Sequence, residues 1–166
     1  MLEENRFGGI IDDLSEEPRE PYSKADLADL KQFLVNDDIK NYLTRLLTPE
    51  GYDVSGVGVM SLESIRGELY ASPGVNIAPY GYLPIASDGG GNAICFGVDG
   101  KVYWADHTGW AEDYINFKNR ETGEWNEIPF IAENIPKALD LLSEDIPSFL
   151  ERFLADEMED ELEALD

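Results

Sequence analysis

The stretch Tyr82 to His107, YLPIASDGGGNAICFGVDGKVYWADH, constrains the fold of this chain more than any other. It predicts three short strands joined by two tight turns, the first over Asp88-Gly89-Gly90-Gly91-Asn92 and the second at Asp99-Gly100. Asp-Gly between alternating apolar residues is a strong hairpin signal, because glycine takes positive φ without a Cβ clash. The strands fall at Tyr82–Ser87, Ala93–Val98 and Lys101–Asp106. Alternation puts Ile94, Phe96 and Val98 on one face of the middle strand. In the third, Val102, Trp104 and Asp106 share one face and Tyr103, Ala105 and His107 the other. A further hairpin, Tyr114–Asn119 with Trp125–Ile131, is expected around Glu121-Thr122-Gly123-Glu124. Strands that follow one another on short turns build an antiparallel meander rather than a parallel sheet with crossover helices.

Helical signals flank this region. Ser23 suits the N-cap of a helix from Lys24 to Val35, with Leu27, Leu30, Phe33 and Leu34 on its inner side. Asn36 suits the cap of a second helix, Asp37 to Leu47, whose buried stripe is Ile39, Tyr42, Leu43, Leu46 and Leu47. Val54 to Met60 predicts one short strand, and Ser61 caps a helix from Leu62 to Tyr70. Residues 71–81 are expected to form a loop. Pro136 opens a helical turn through Leu142. Ser143 caps the last helix, which tolerates Pro147 in its first turn and carries Ile146, Phe149, Leu150, Phe153 and Leu154 as its apolar stripe.

The ends differ in composition. Residues 1–21 are acidic and carry Gly8-Gly9, Pro18 and Pro21, which predicts a loose arm that can still dock through Phe7, Ile10, Ile11 and Leu14. Beyond Ala155, seven of eleven residues are acidic, too little apolar surface to pack. The expected organisation is an arm over 1–21, one domain over 22–155 and an acidic tail over 156–166. A chain of 166 residues fits one domain with a core of its own.

Twelve basic residues stand against thirty-five acidic ones, a formal net charge of -23. That field repels phosphate backbones and anionic membrane surfaces, so neither direct nucleic-acid binding nor membrane binding is expected. It attracts basic proteins and speeds their arrival. The single cysteine, Cys95, excludes an internal disulfide. No apolar run approaches a membrane span, and the N-terminus lacks a signal-peptide pattern, so a cytoplasmic protein is expected.

The candidate chemistry is sparse. The glycine run precedes a strand and no Lys-Ser or Lys-Thr pair follows it, so it fits a hairpin turn and not a phosphate loop. Asp88 and Asn92 offer too few oxygens for calcium. Cys95 and the only histidine, His107, suggest a thiol with a base. Asp106 is poorly placed to orient His107, however, because strand neighbours point to opposite faces. One Cys and one His are also too few for zinc. Thirty-five carboxylates make any glycosidase-like pair uninformative. Tyr103, Trp104 and Trp110 beside Asp106, Glu112 and Asp113 read either as aromatic anchors ringed by acids or as core cover, with Trp104 inside and Trp110 over a sheet edge.

These residues carry a resemblance. Ser61-Leu62-Glu63-Ser64-Ile65 is followed in order by Leu83-Pro84-Ile85-Ala86, Asp88-Gly89-Gly90-Gly91-Asn92, an apolar strand, Asp99-Gly100 and Val102-Tyr103-Trp104-Ala105-Asp106-His107. With the closing helix Ser148-Phe149-Leu150-Glu151-Arg152-Phe153-Leu154, this order resembles the SUKH superfamily over residues 54–155. That superfamily includes bacterial immunity proteins and yeast regulators of cell-wall synthesis. The resemblance implies an α+β fold, an antiparallel twisted sheet of about five to six strands with helices packed around it. It also implies a non-enzymatic binding role, in bacteria the neutralisation of a secreted toxin that is often a nuclease or deaminase. A nuclease needs a basic surface to hold nucleic acid, so an acidic inhibitor complements it. The expected partner is therefore a protein toxin or another basic protein, with a regulatory adaptor as the alternative role. No cofactor or metal is expected. The candidate partner contacts are Asp88, Asn92, Asp106, His107, Trp110, Glu112 and Asp113.

Overall fold

Every residue of Ala93–Gly97 is buried, as befits a strand covered on both faces. A computed structural model of the chain, describing Phe7, residues 20–47 and residues 49–165, shows the strand in that position. The described residues form β1 (Tyr52–Val54), β2 (Val57–Val59), β3 (Tyr82–Ser87), β4 (Ala93–Gly97), β5 (Val102–Ala105), β6 (Tyr114–Lys118), β7 (Trp125–Pro129) and β8 (Leu139–Ser143). Six of these lie side by side in the order β1-β2-β3-β4-β5-β8, each neighbouring pair antiparallel, while β6 and β7 pair separately. This is the expected α+β architecture.

The alternation read from the sequence divides the core in two. Ile94, Phe96, Val102 and Trp104 face a first cluster built with Phe33, Tyr42, Leu43, Phe149 and Phe153, and Phe7 is buried in it. Tyr42 meets Phe96 edge-on at 5.1 Å between centroids, and Phe96 meets Phe149 at 6.1 Å. Cys95, Tyr103 and Ala105 face a second cluster with Ile77, Ile115 and Ile135, against which Phe117, Ile128 and Phe130 pack. Between Pro84 and Ala86 the register of β3 against β4 slips by one residue. Such a bulge re-aims side chains, and Leu83, Ile85 and Ala86 all belong to the first cluster. Ile10, Ile11 and Leu14 lie outside the described residues.

Several local readings change in the structure. Val54 to Met60 is not one strand but the β1–β2 hairpin, turned by Ser55 and Gly56 with φ of 52° and 74°. Two successive positive φ values match the twist of a two-residue hairpin, and Gly56 makes the second one free of strain. The helix expected over Lys24–Val35 is a run of turns and a 3-10 helix, Ala28–Phe33. Leu27, Leu30 and Phe33, all fully buried, recur every third residue, the repeat of a 3-10 helix. Ser23 caps only the turn ahead of that 3-10 helix, whose N-cap is Leu27: its Oγ accepts from Asp26 N at 3.1 Å and Asp26 Oδ2 accepts from Ser23 N at 2.8 Å. The second helix is α-helical over Asp37–Asn41 and widens to a π-helical turn over Tyr42–Leu46. Residues expected to form only a loop contain a helical turn, Gly74–Ile77, and a 3-10 turn, Ala78–Tyr80.

The C-terminal third differs most. The β6–β7 hairpin leaves the meander. Its departure point is Gly109 (φ 84°), whose carbonyl accepts from Asn116 N at 2.8 Å. A Cβ on Gly109 would stand 1.9 Å from Asn116 O, so only glycine permits that approach. The vacated edge of β5 is taken by β8, where the sequence suggested a helical turn. The helical turn ends earlier, as a 3-10 helix over Ala132–Ala138. Ser143 closes β8, and Asp145 caps the last helix, Ile146–Leu154, accepting from Ser148 N at 2.7 Å. The residues after Ala155, expected not to pack, form a further helical turn over Glu159–Glu163, with Met158 and Leu162 buried in the first cluster. Counting acids concealed that these two apolar residues recur at helical spacing. No helix among the described residues is long and apolar enough to cross a membrane.

Candidate protein-binding surface

The glycine run is the β3–β4 turn. Asp88 N donates to Asn92 O at 3.0 Å and Gly91 N donates to Asp88 O at 3.1 Å. The Asp88 carboxylate fills the turn from inside: Oδ1 accepts from Gly90 N at 3.0 Å and Asn92 N at 2.9 Å. Its Oδ2 accepts from Asn92 Nδ2 at 3.0 Å and from the Trp104 indole at 3.3 Å. Two of the turn's backbone donors, Gly90 N and Asn92 N, are thus already satisfied by a side chain, and Gly91 N by the Asp88 carbonyl.

Asn92 carries the network across to the end of β5. Its Oδ1 accepts from His107 N at 3.0 Å and lies 2.8 Å from His107 Nδ1. A carboxylate on one side and a main-chain N–H on the other fix which way the amide points. His107 Nδ1 is therefore the donor of that pair. Asp106 Oδ1 is only 3.7 Å from Nδ1. This corrects the expectation that strand alternation separates the two residues, because β5 ends at Ala105. Asp106 instead closes the following turn, Oδ1 accepting from Thr108 N and Oγ1, both at 2.8 Å, while its carbonyl accepts from the Trp110 indole at 2.8 Å.

The seven candidate contacts thus fall into two groups. Asp88, Asn92, Asp106, His107 and Trp110 are bonded within the chain. Asn92 is only 5% exposed, and Trp110 lies edge-on to Phe130 at 6.3 Å, covering the second cluster. The His107 side chain is 46% exposed, and Glu112 and Asp113 stand open in the loop before β6. The geometry brings five of them into one scaffold and leaves an acidic rim beside it.

Cys95 is fully buried, and burial, with Glu68 contributing, pushes its thiol far above the ordinary range. A thiol so held is not a ready nucleophile. Burial likewise raises the Glu68 carboxyl. The Tyr103 hydroxyl is raised by burial and by its 2.5 Å bond to Asp99. Among the described residues, no three His, Cys, Asp or Glu side chains are grouped to hold a metal ion. A recess of about 330 Å³ between the β6–β7 hairpin and β8 is lined in part by Lys118, Arg120, Lys137 and Asp140. Arg120 there is engaged by Asp140 at 3.2 Å and by Leu165 O at 3.1 Å, and sits over the Trp104 ring.

Sequence reasoning passed over the exposed aromatics of the hairpin, Tyr114 and Trp125, and Tyr80, whose ring meets Phe130 at 5.6 Å. Alternation within β6 and β7 was the available signal: Tyr114, Asn116 and Lys118 share one face, as do Trp125, Glu127 and Pro129.

The six-stranded sheet and the separate β6–β7 hairpin thus carry a hydrogen-bonded turn scaffold beside an acidic, aromatic rim. The SMI1 / KNR4 family (SUKH-1) model matches residues 21–152, and the chain belongs to that family. The match begins ahead of the resemblance legible in the motifs and includes both N-terminal helical segments. No curated protein and no solved structure matches the chain.

Proposed function

We propose that this chain is a cytoplasmic, non-enzymatic immunity protein that neutralises a basic toxin of nuclease or deaminase type by direct binding. Membership of the SMI1 / KNR4 family carries this reading. The net charge of -23 supports a basic partner, since opposite fields steer encounter and suppress wrong pairings. The buried, protonated Cys95 and the internally bonded Asp88 and Asn92 are compatible with a surface that binds rather than reacts.

The test is retrieval with the tagged protein from nuclease-treated lysate of its native host, at low and moderate salt, followed by assay of what is retained. The expected result is one basic protein held in stoichiometric amount, whose toxic activity falls to background with equimolar chain. Association should slow as salt rises, because the Debye length shrinks from about 10 Å at 0.1 M to about 3 Å at 1 M. Retained activity beside excess chain would refute the immunity role. Several housekeeping proteins lost together at moderate salt would favour the adaptor role of the family instead.

A further inference from the structure

The β6–β7 hairpin buries one face and leaves the other without cover among the described residues. Ile115, Phe117 and Ile128 turn inward onto the second cluster. The cross-strand pairs Tyr114–Pro129, Asn116–Glu127 and Lys118–Trp125 turn outward. On a solvated face alternation calls for polar residues, yet Trp125 is 56% exposed and Tyr114 is 42% exposed. Two large aromatics on one small face, with a carboxylate on the pair between them, have the make-up of an interface centre and not of a solvated ribbon.

Two observations say what can cover this face. Residues 112–133 hold six carboxylates (Glu112, Asp113, Glu121, Glu124, Glu127 and Glu133) against two cations, Lys118 and Arg120. Arg120 is already paired with Asp140. A second copy would bring the same charge to the same face, so a homodimer is opposed and a cationic partner favoured. The edge of β7 ends in Pro129, which has no N–H to offer, and its carbonyl accepts from Asn134 Nδ2 at 2.9 Å. Strand addition is blunted there, so an occupant meets the face through side chains.

We propose that the outer face of the β6–β7 hairpin is a docking surface for a basic protein segment, with Trp125 and Tyr114 as anchors and Glu127 as the carboxylate between them. This rests on the protein-binding reading above and names its surface. Glu112 and Asp113 form its rim, whereas Asp88 and Asn92 lie in the internal scaffold.

The probe is a random peptide library displayed on phage, selected against the full chain at physiological salt. The recovered peptides should be rich in Arg and Lys. Their Kd should weaken at least about tenfold on Trp125→Ala, as for an interface anchor. Glu127→Lys should weaken it comparably, and Val35→Ala, at a 77% exposed site elsewhere, should leave it unchanged. Matched thermal melts establish that the variants fold. Peptides that are not cationic, that bind all variants equally, or that are not recovered at all would overturn the proposal. So would a Trp125-dependent dimer in sedimentation. The two readings fail separately. A toxin neutralised equally well by Trp125→Ala removes the surface and keeps the role. Cationic peptides bound at Trp125 by a chain that neutralises nothing keep the surface and remove the role.

Discussion

Asn92 occupies the last position of a glycine-rich turn, a place where side chains ordinarily point to water, and yet it is buried. Its amide joins the Asp88 carboxylate in the β3–β4 turn to the backbone of His107 beyond β5. Removing it breaks part-buried hydrogen bonds to the Asp88 carboxylate and to the His107 N–H, a loss of about 1–3 kcal/mol. Asn92→Ala should lower stability by that amount in chemical denaturation. Asn92→Asp should cost more at neutral pH, because a second carboxylate then faces Asp88, and part of that excess should return as pH falls through the carboxylate range. The residue types at Asp88, Asn92 and His107 were legible as turn chemistry and a lone histidine. Their shared network was not, because it forms between segments that meet only when β3, β4 and β5 pair.

At the scale of elements, most of the strands were legible because a short apolar run bounded by turn residues marks a strand buried on both faces, and period-two alternation marks one with a solvated face. β3 and the closing helix stripe came through nearly residue for residue. β8 did not, since Leu139–Ser143 carries no alternation of its own and becomes a strand by completing the edge of β5. The segment after Ala155 is a second case. Its carboxylates read as an unpackable tail, but Met158 and Leu162 fill the first cluster. Arg152 pairs with Glu161, and Arg120 reaches Leu165 O. Met158→Ala should therefore cost about 2–5 kcal/mol, as other buried Met or Leu truncations do. Glu159→Ala, on the exposed side of the same turn, should stay within about 0.5 kcal/mol. Equal small effects for both would show that this segment does not pack in solution.

For the whole molecule, charge and burial set opposite limits on pH. Asp29 is held below the ordinary carboxylate range by the Arg66 guanidinium 2.7 Å away. The stability this pair contributes is present above the unfolded value of Asp29 and is lost as acid protonates the folded carboxylate. At the alkaline end the Cys95 thiol and the Tyr103 hydroxyl, ordinarily 9.0 and 10.0, are both raised by burial. An unfolded chain releases these protons at the ordinary values while the folded chain keeps them, so stability should fall from about pH 9 upward. Each group contributes a slope of about 1.4 kcal/mol per pH unit at most. Denaturant midpoints measured between about pH 8 and 11 should fall, and Cys95→Ala should flatten the first part of that fall. An unchanged slope would place the thiol in contact with water. By itself, the sequence determined the strand meander, the two faces of its central strands, the sign of the protein's field and the family signature, because these depend on residue type at short range. Only the tertiary structure decided that the hairpin leaves the sheet, that β8 replaces it, that Asn92 is interior and that Trp125 is exterior. Those outcomes depend on which surfaces compete for the same partner, and that competition exists only once the chain has folded back on itself.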